Sequence, residues 1–297
     1  MDYSEDVNIG YLLDVFTTID TDSQRVWDVC SYFVDHLSWH KPRLVLLGPK
    51  IEVLPDTHPS KPRCLFSLSD LYFSVGNCLD SKRLLIHTLQ LWREQGDDSE
   101  VAQTSRGLSE VNRLLDLHEE GIKQAKEAFE IYERLNDTFG QAQSLCNLAW
   151  LLYEDQQLGA AEEAALQSIN LFPVKVDPSL ACRCHRILGK IHSSKDVDEI
   201  EKAIDHFEAA LGIASFFDLP NEHFWGHYDM AELFFSQGRL DDAHAHVERA
   251  KSHTGNDIYL VGRAISRLGF GMGNAGSEKR GRRLCVPSML MRRSGPR

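Results

Sequence analysis

Long apolar runs are missing from this 297-residue sequence. No stretch approaches the ~20 consecutive apolar residues that a membrane-spanning helix needs, so a membrane partner is not expected. Positive charge is also scarce: 32 Lys and Arg stand against 44 Asp and Glu, giving a net charge of -12. A general nucleic-acid binder would carry a basic footprint, so nucleic acid is not an expected partner. The cysteines are few, scattered and odd in number, at positions 30, 64, 78, 146, 182, 184 and 285. That pattern suits a reducing compartment, where most act as small buried side chains. The start, MDYSEDVNIG, is acidic and lacks the basic head and apolar core of a secretory signal. A cytoplasmic location is expected.

Catalytic and metal signatures are equally thin. Nothing resembles a G-x-S-x-G elbow. Carboxylate pairs such as Glu162-Glu163 and Asp241-Asp242 fall at turns and helix starts, where acids favour the helix dipole. Cys182-Arg183-Cys184 has the wrong spacing for a zinc knuckle. His223 and His227 lie four apart, with His244 and His246 on the next helix, but a site needs three or four ligands with second-shell partners, and paired histidines without Cys or carboxylate companions are usually surface or packing residues. The sequence therefore predicts no enzyme, no cofactor and no metal.

What the sequence does contain is a period. The segments LSDLY, LSEVN, LAWLL, LGKIH and MAELF align on small residues at 69, 109, 149, 189 and 231, spaced 40, 40, 40 and 42 apart. A second small position follows at Ser81, Gly121, Ala161, Ala203 and Ala243, and a third at Thr88, Ala128, Ser168, Ala210 and Ala250. Antiparallel helices approach closely only where a small side chain leaves room, so the contact repeats with the unit. Apolar residues recur at helical spacing around these positions, as at Leu145, Leu148, Leu151 and Leu152. Breaks such as EDQQ, FSQGR and RLNDTFG supply the turns, with glycines at Gly140 and Gly238, and Pro173 marks a helix end.

These are the marks of tetratricopeptide repeats. The expected fold is all-α, a right-handed superhelical solenoid of antiparallel helix pairs with a period of about 40 residues. Residues 1–61 are expected to form an N-terminal helical segment and linker, with 11–40 helical and 41–56 a short strand or extended joint. Residues 62–268 would hold five units and a truncated sixth, and 269–297 a disordered basic tail. From Ser277 onward seven Lys and Arg face one acid, so the preceding residues carry about -18. The run Lys279-Arg280-Gly281-Arg282-Arg283 is a candidate import signal or anionic-surface tether.

A narrower resemblance lies in VFTTIDTDSQRVWDVCSYFVDHLSWHKPRLVLLGPKI, GQAQSLCNLAWLLYEDQQLGAAEEAALQSINLFP and GRLDDAHAHVERAKSH. Over residues 11–268 these look like the C-terminal half of fungal signal-transduction NTPases of the NB-ARC/NACHT type. The resemblance implies a ligand-sensing repeat domain. The chain departs from that family in having no G-x-x-x-x-G-K-[ST]; the nearest candidate, Leu47-Gly48-Pro49-Lys50, lacks the first glycine and the hydroxyl residue. Only a recognition role carries over. A free-standing adaptor or decoy for a nucleotide-binding relative, and a gene fragment, are the alternatives.

Groove positions of the first helix in each unit give the expected partner-binding residues: Arg63, Arg106, Asn147, Trp150, Arg183, Arg186, Lys190, Trp225 and Tyr228, with acids at Asp229 and Glu232. The arginines would grip carboxylates of an acidic protein or peptide, and the aromatics would supply flat contact area. Asn147 would bond a peptide backbone or cap a local turn. The competing reading has the cations pairing with neighbouring acids and the aromatics packing between units. Replacing Arg106 and Arg186 together with Glu is expected to weaken binding and leave the fold intact. Self-association is also expected, through an apolar face near Leu233, Phe234 and Val247 left open by the truncated unit.

Overall fold

The computed structural model describes residues 48–171, 173–195 and 197–253. The helix expected over 11–40, the truncated sixth unit beyond 253 and the basic tail lie outside the described residues. After a short helix α1 (Gly48–Glu52) come ten longer ones. They are α2 (Lys61–Ser74), α3 (Cys78–Gln95), α4 (Asp98–Leu114), α5 (His118–Arg134), α6 (Thr138–Glu154) and α7 (Leu158–Leu171), then α8 (Pro178–Ser193), α9 (Ile200–Phe216), α10 (Pro220–Ser236) and α11 (Leu240–His253). Among the described residues there is no strand. Gly48–Glu52 is thus a helical turn within the segment expected to be extended. It is fixed by burial of Ile51 and by the bidentate pair of Glu52 with Arg83 on α3, at 2.7 and 3.0 Å.

The ten helices form five successive pairs, α2/α3 to α10/α11, in register with the period. At all three small positions of all five units the residue is buried. Gly189 shows why size matters there: a Cβ would come within 2.5 Å of the Phe207 ring on α9. Ser168 Oγ donates across the contact to the Ala142 carbonyl at 2.7 Å, whereas Ser69, Thr88 and Ser109 donate to carbonyls of their own helices.

Seven of the connections share one chemistry. A left-handed residue ends the helix at Gly76, Gly96, Asp116, Asn136, Gln156, Asp218 and Gly238, with φ between 53° and 83°. The next residue's N–H bonds five residues back, as from Asp97 to Trp92 and from Gln157 to Leu152. This is the helix-ending motif that satisfies the last carbonyls. Asn or Asp then caps the following helix: Asn77, Asp97, Asp137 and Asp177 each accept a backbone N–H three residues on. Gly238 is a turn glycine as expected, but Gly140 is not. It lies inside α6, where a Cβ would meet the Tyr132 ring at 2.4 Å.

The chain divides into two compact units after Ile131. In the second, Ala203, Phe207, Met230, Leu233, Phe234 and Ala243 make one core cluster. Leu233 and Phe234, expected on an open apolar face, are therefore interior residues of α9–α11. Cys64, Cys78, Cys146, Cys182 and Cys184 are buried free thiols, and burial pushes Cys182 up to about 12. No helix among the described residues is long and apolar enough to cross a membrane.

Candidate functional site

Seven of the nine expected binding residues belong to the second unit, on the first helices α6, α8 and α10. α8 contacts both α6 and α10, so successive first helices present a common face. The repeat sets what meets there, because groove positions one period apart fall side by side.

Asn147 on α6 accepts a hydrogen bond from Arg183 Nη2 on α8 at 2.9 Å. One turn along α8, the Arg186 guanidinium lies over the rings of both Trp150 and Trp225, 5.7 and 5.4 Å from their centroids. Its Nε donates to Asp229 Oδ2 on α10 at 2.6 Å, and Nη1 stands 3.7 Å from Glu222. Another turn along, Lys190 Nζ sits 2.8 Å from both Asp229 Oδ1 and Glu232 Oε2. Three acids thus match three cations on one face.

Burial shapes these charges. Asp229 is 1% exposed. Desolvation alone would raise its carboxyl, but Arg186 and Lys190 outweigh that and hold it below the usual range. Burial would likewise lower Lys190, yet Asp229 and Glu232 push it up. Glu222 is dominated by burial and raised, with Arg186 and Arg183 opposing. A buried charge pair costs desolvation of both ions and is disrupted severely by removing either one.

The structure therefore corrects parts of the sequence reading. Arg186 is buried and engaged on every side, so exchanging it for Glu would disturb the fold rather than leave it intact. Tyr228 packs with Phe224 and Ala250 in the α10/α11 core and contributes little face area. Trp150 is buried, while Trp225 is half-buried and more accessible. Asn147 is oriented by Arg183 rather than by a turn. In the first unit Arg63 is exposed on α2 and opposes the burial-driven rise of Glu100, and Arg106 is half-buried on α4. Glu222 is a member of this charged cluster that the sequence reading missed; it sits on α10 one turn before Gly226, a first-turn acid that resembled a helix-dipole partner.

Residues 100–173, from α4 to the end of α7, match the family model for the tetratricopeptide repeat. The fold is tetratricopeptide-type. Solved structures agree across far more of the chain, at identities that speak for fold alone. A Rap protein complexed with competence and sporulation factor is 15% identical, covers 90% of this chain and 76% of its own, and has a TM-score of 0.70. The Rap conjugation gene regulator of plasmid pLS20, in complex with the Phr* peptide, gives 11%, 84%, 80% and 0.58 in the same order. Putative kinesin light chain TPR-like repeats of Podosopora anserina give 14%, 67%, 97% and 0.51. A search of curated protein sequences finds no match. The tetratricopeptide-type fold explains the face: its first helices repeat side by side, which brings Arg186 beside Asp229, 43 residues away.

Proposed function

We propose that the chain is a protein-interaction module that binds a peptide or an extended protein segment along the face of α6, α8 and α10. One observation carries this reading. Asn147, Arg183 and Trp225 are held in place by neighbouring helices, with Arg186 fixed beneath by Asp229 and the two tryptophans. A surface ordered beforehand loses little entropy when a ligand docks. Arg183, oriented by the buried Asn147 beneath it, would engage backbone amides of the ligand, and Trp225 an apolar side chain. The Rap proteins supply support by likeness of fold, one in complex with a peptide and another with competence and sporulation factor.

The charge balance favours amide and apolar recognition over the acidic partner expected from the sequence, because Asp229, Glu222 and Glu232 already neutralise Arg186 and Lys190. Binding without catalysis is the reading we adopt. The resemblance to fungal signalling NTPases would make that binding the sensing event for a nucleotide-binding relative, which co-purification with such a relative would test.

Selection of peptides on the full chain from a random display library tests the face. Peptides that bind are expected to lose at least tenfold affinity to Asn147→Ala and to Trp225→Ala, with an unchanged circular dichroism spectrum. Equal affinity for both variants would place binding elsewhere and overturn the proposal.

A further inference from the structure

Among the described residues, a cluster of three ligating side chains outside that face lies where α10 packs on α11. His223 and His227 are one helical turn apart on α10, and His253 ends α11. Each offers one ring nitrogen, and these nitrogens all lie within 4.8 Å of one another. The His223 and His253 rings are nearly parallel, at 6° and 4.4 Å between centroids, and His227 stands 5.9 Å from His253. All three are half-buried.

Ring packing alone leaves two features unexplained. His223 Nδ1 is buried without a hydrogen-bond partner, while the same ring's Nε2 lies 3.2 Å from Ser215 Oγ on α9. His227 Nδ1 is 3.2 Å from Nδ1 of His246, a fourth histidine on α11. Each α10 histidine therefore has one nitrogen held by an outer partner. That is how metal-ligating imidazoles are usually oriented: the second nitrogen is fixed by a hydrogen bond and the first points at the ion.

We propose that His223, His227 and His253 bind a divalent transition-metal ion, zinc foremost, through three imidazole nitrogens with a fourth coordination position open. Imidazole donors without a carboxylate suit zinc, copper or nickel and not magnesium or calcium. Zinc–nitrogen bonds of about 2.0–2.1 Å place tetrahedral donors roughly 3.4 Å apart. Binding would close the three nitrogens from within 4.8 Å to that distance by side-chain rotation. Arg249 is the unfavourable charge nearby and is exposed; Asp218 acts on His223 with the opposite sign. The bound ion would join α10 to α11 through residues 26 to 30 apart in sequence.

The test uses the full 297-residue chain, stripped with a chelator and titrated with zinc chloride by calorimetry and with cobalt chloride by visible absorption. One equivalent is expected to bind, with cobalt giving the ligand-field bands of a four-coordinate nitrogen and oxygen site. His253→Gln, at a helix end where folding is least at risk, is expected to weaken zinc at least a hundredfold. His246→Gln should weaken it about tenfold through lost orientation. His244→Gln, exposed on α11, should leave it unchanged. The proposal is overturned if the parent chain binds no stoichiometric zinc, if His253→Gln binds as tightly as the parent, or if cobalt shows thiolate charge-transfer bands.

Discussion

Two glycines in the fourth unit give opposite answers to the same substitution. Gly189 faces Phe207 with no room for a methyl group, since a Cβ would sit 2.5 Å from the ring. Gly212, inside α9, has nothing within 4 Å of a built Cβ. Gly189→Ala therefore overpacks the α8/α9 contact and is expected to cost about 1–3 kcal/mol. Gly212→Ala removes a helix-interior glycine at no steric cost and is expected to gain up to about 1 kcal/mol. Urea denaturation of both variants checks the pair, and equal signs would mean the close approach at Gly189 is absent. The sequence made this contrast readable, because Gly189 stands at a small position of the period and Gly212 does not. It did not do so for Gly140, whose place in RLNDTFG resembled a turn. There the turn residue is Asn136, and the glycine is needed for the Tyr132 ring behind it.

At the scale of elements, the α8/α9 contact carries a paired ring motif: His185 Nδ1 lies 3.1 Å from His206 Nδ1, and His192 stacks on His206 at 4°. Burial first, then His206, holds His185 below its ordinary value, and burial first, then His192, does the same for His206. Asp205 and Glu162 pull His206 partly back up. Unfolded, both rings titrate near 6.5. The sign follows from proton binding: as pH falls through 6.5 the unfolded chain takes up protons that the folded chain refuses, so stability declines toward the lower folded values. Glu222, held high by burial, works the other way. The urea midpoint is expected to drop between pH 7 and pH 5, and His206→Gln should flatten that slope. A slope unchanged in the variant would remove His206 from the account. The same pairing recurs one unit on as His227 with His246. The sequence held its signal, since His246 and His253 flank the small residue Ala250 at four before and three after. Those offsets put both on the face turned toward α10. Counting ligands along a single helix misses this, because His253 joins the others only through packing between helices.

For the whole molecule, contacts among the described helices run almost entirely between elements one or two steps apart in sequence. In such repeats stability approximates a sum of unit and nearest-neighbour terms, so damage stays near its source. The Arg186–Asp229 pair offers a sharp injury. Its two members come from successive units, and both were visible in the sequence as groove residues of opposite sign one period apart. Their mutual burial was not, since it depends on how far α8 and α10 approach each other. Arg186→Ala leaves Asp229 and Glu222 without their guanidinium in a desolvated setting, and breaking such a pair costs about 3–5 kcal/mol. Hydrogen exchange should show where that loss falls. Amides of α8 to α11 are expected to lose protection by two to three orders of magnitude, consistent with about 1.4 kcal/mol per tenfold. Amides of α2 and α3 should keep theirs. Uniform loss across α2 to α11 would instead mean that the array unfolds as one cooperative block, and that the face proposed for binding draws its rigidity from every unit rather than from the three helices that form it.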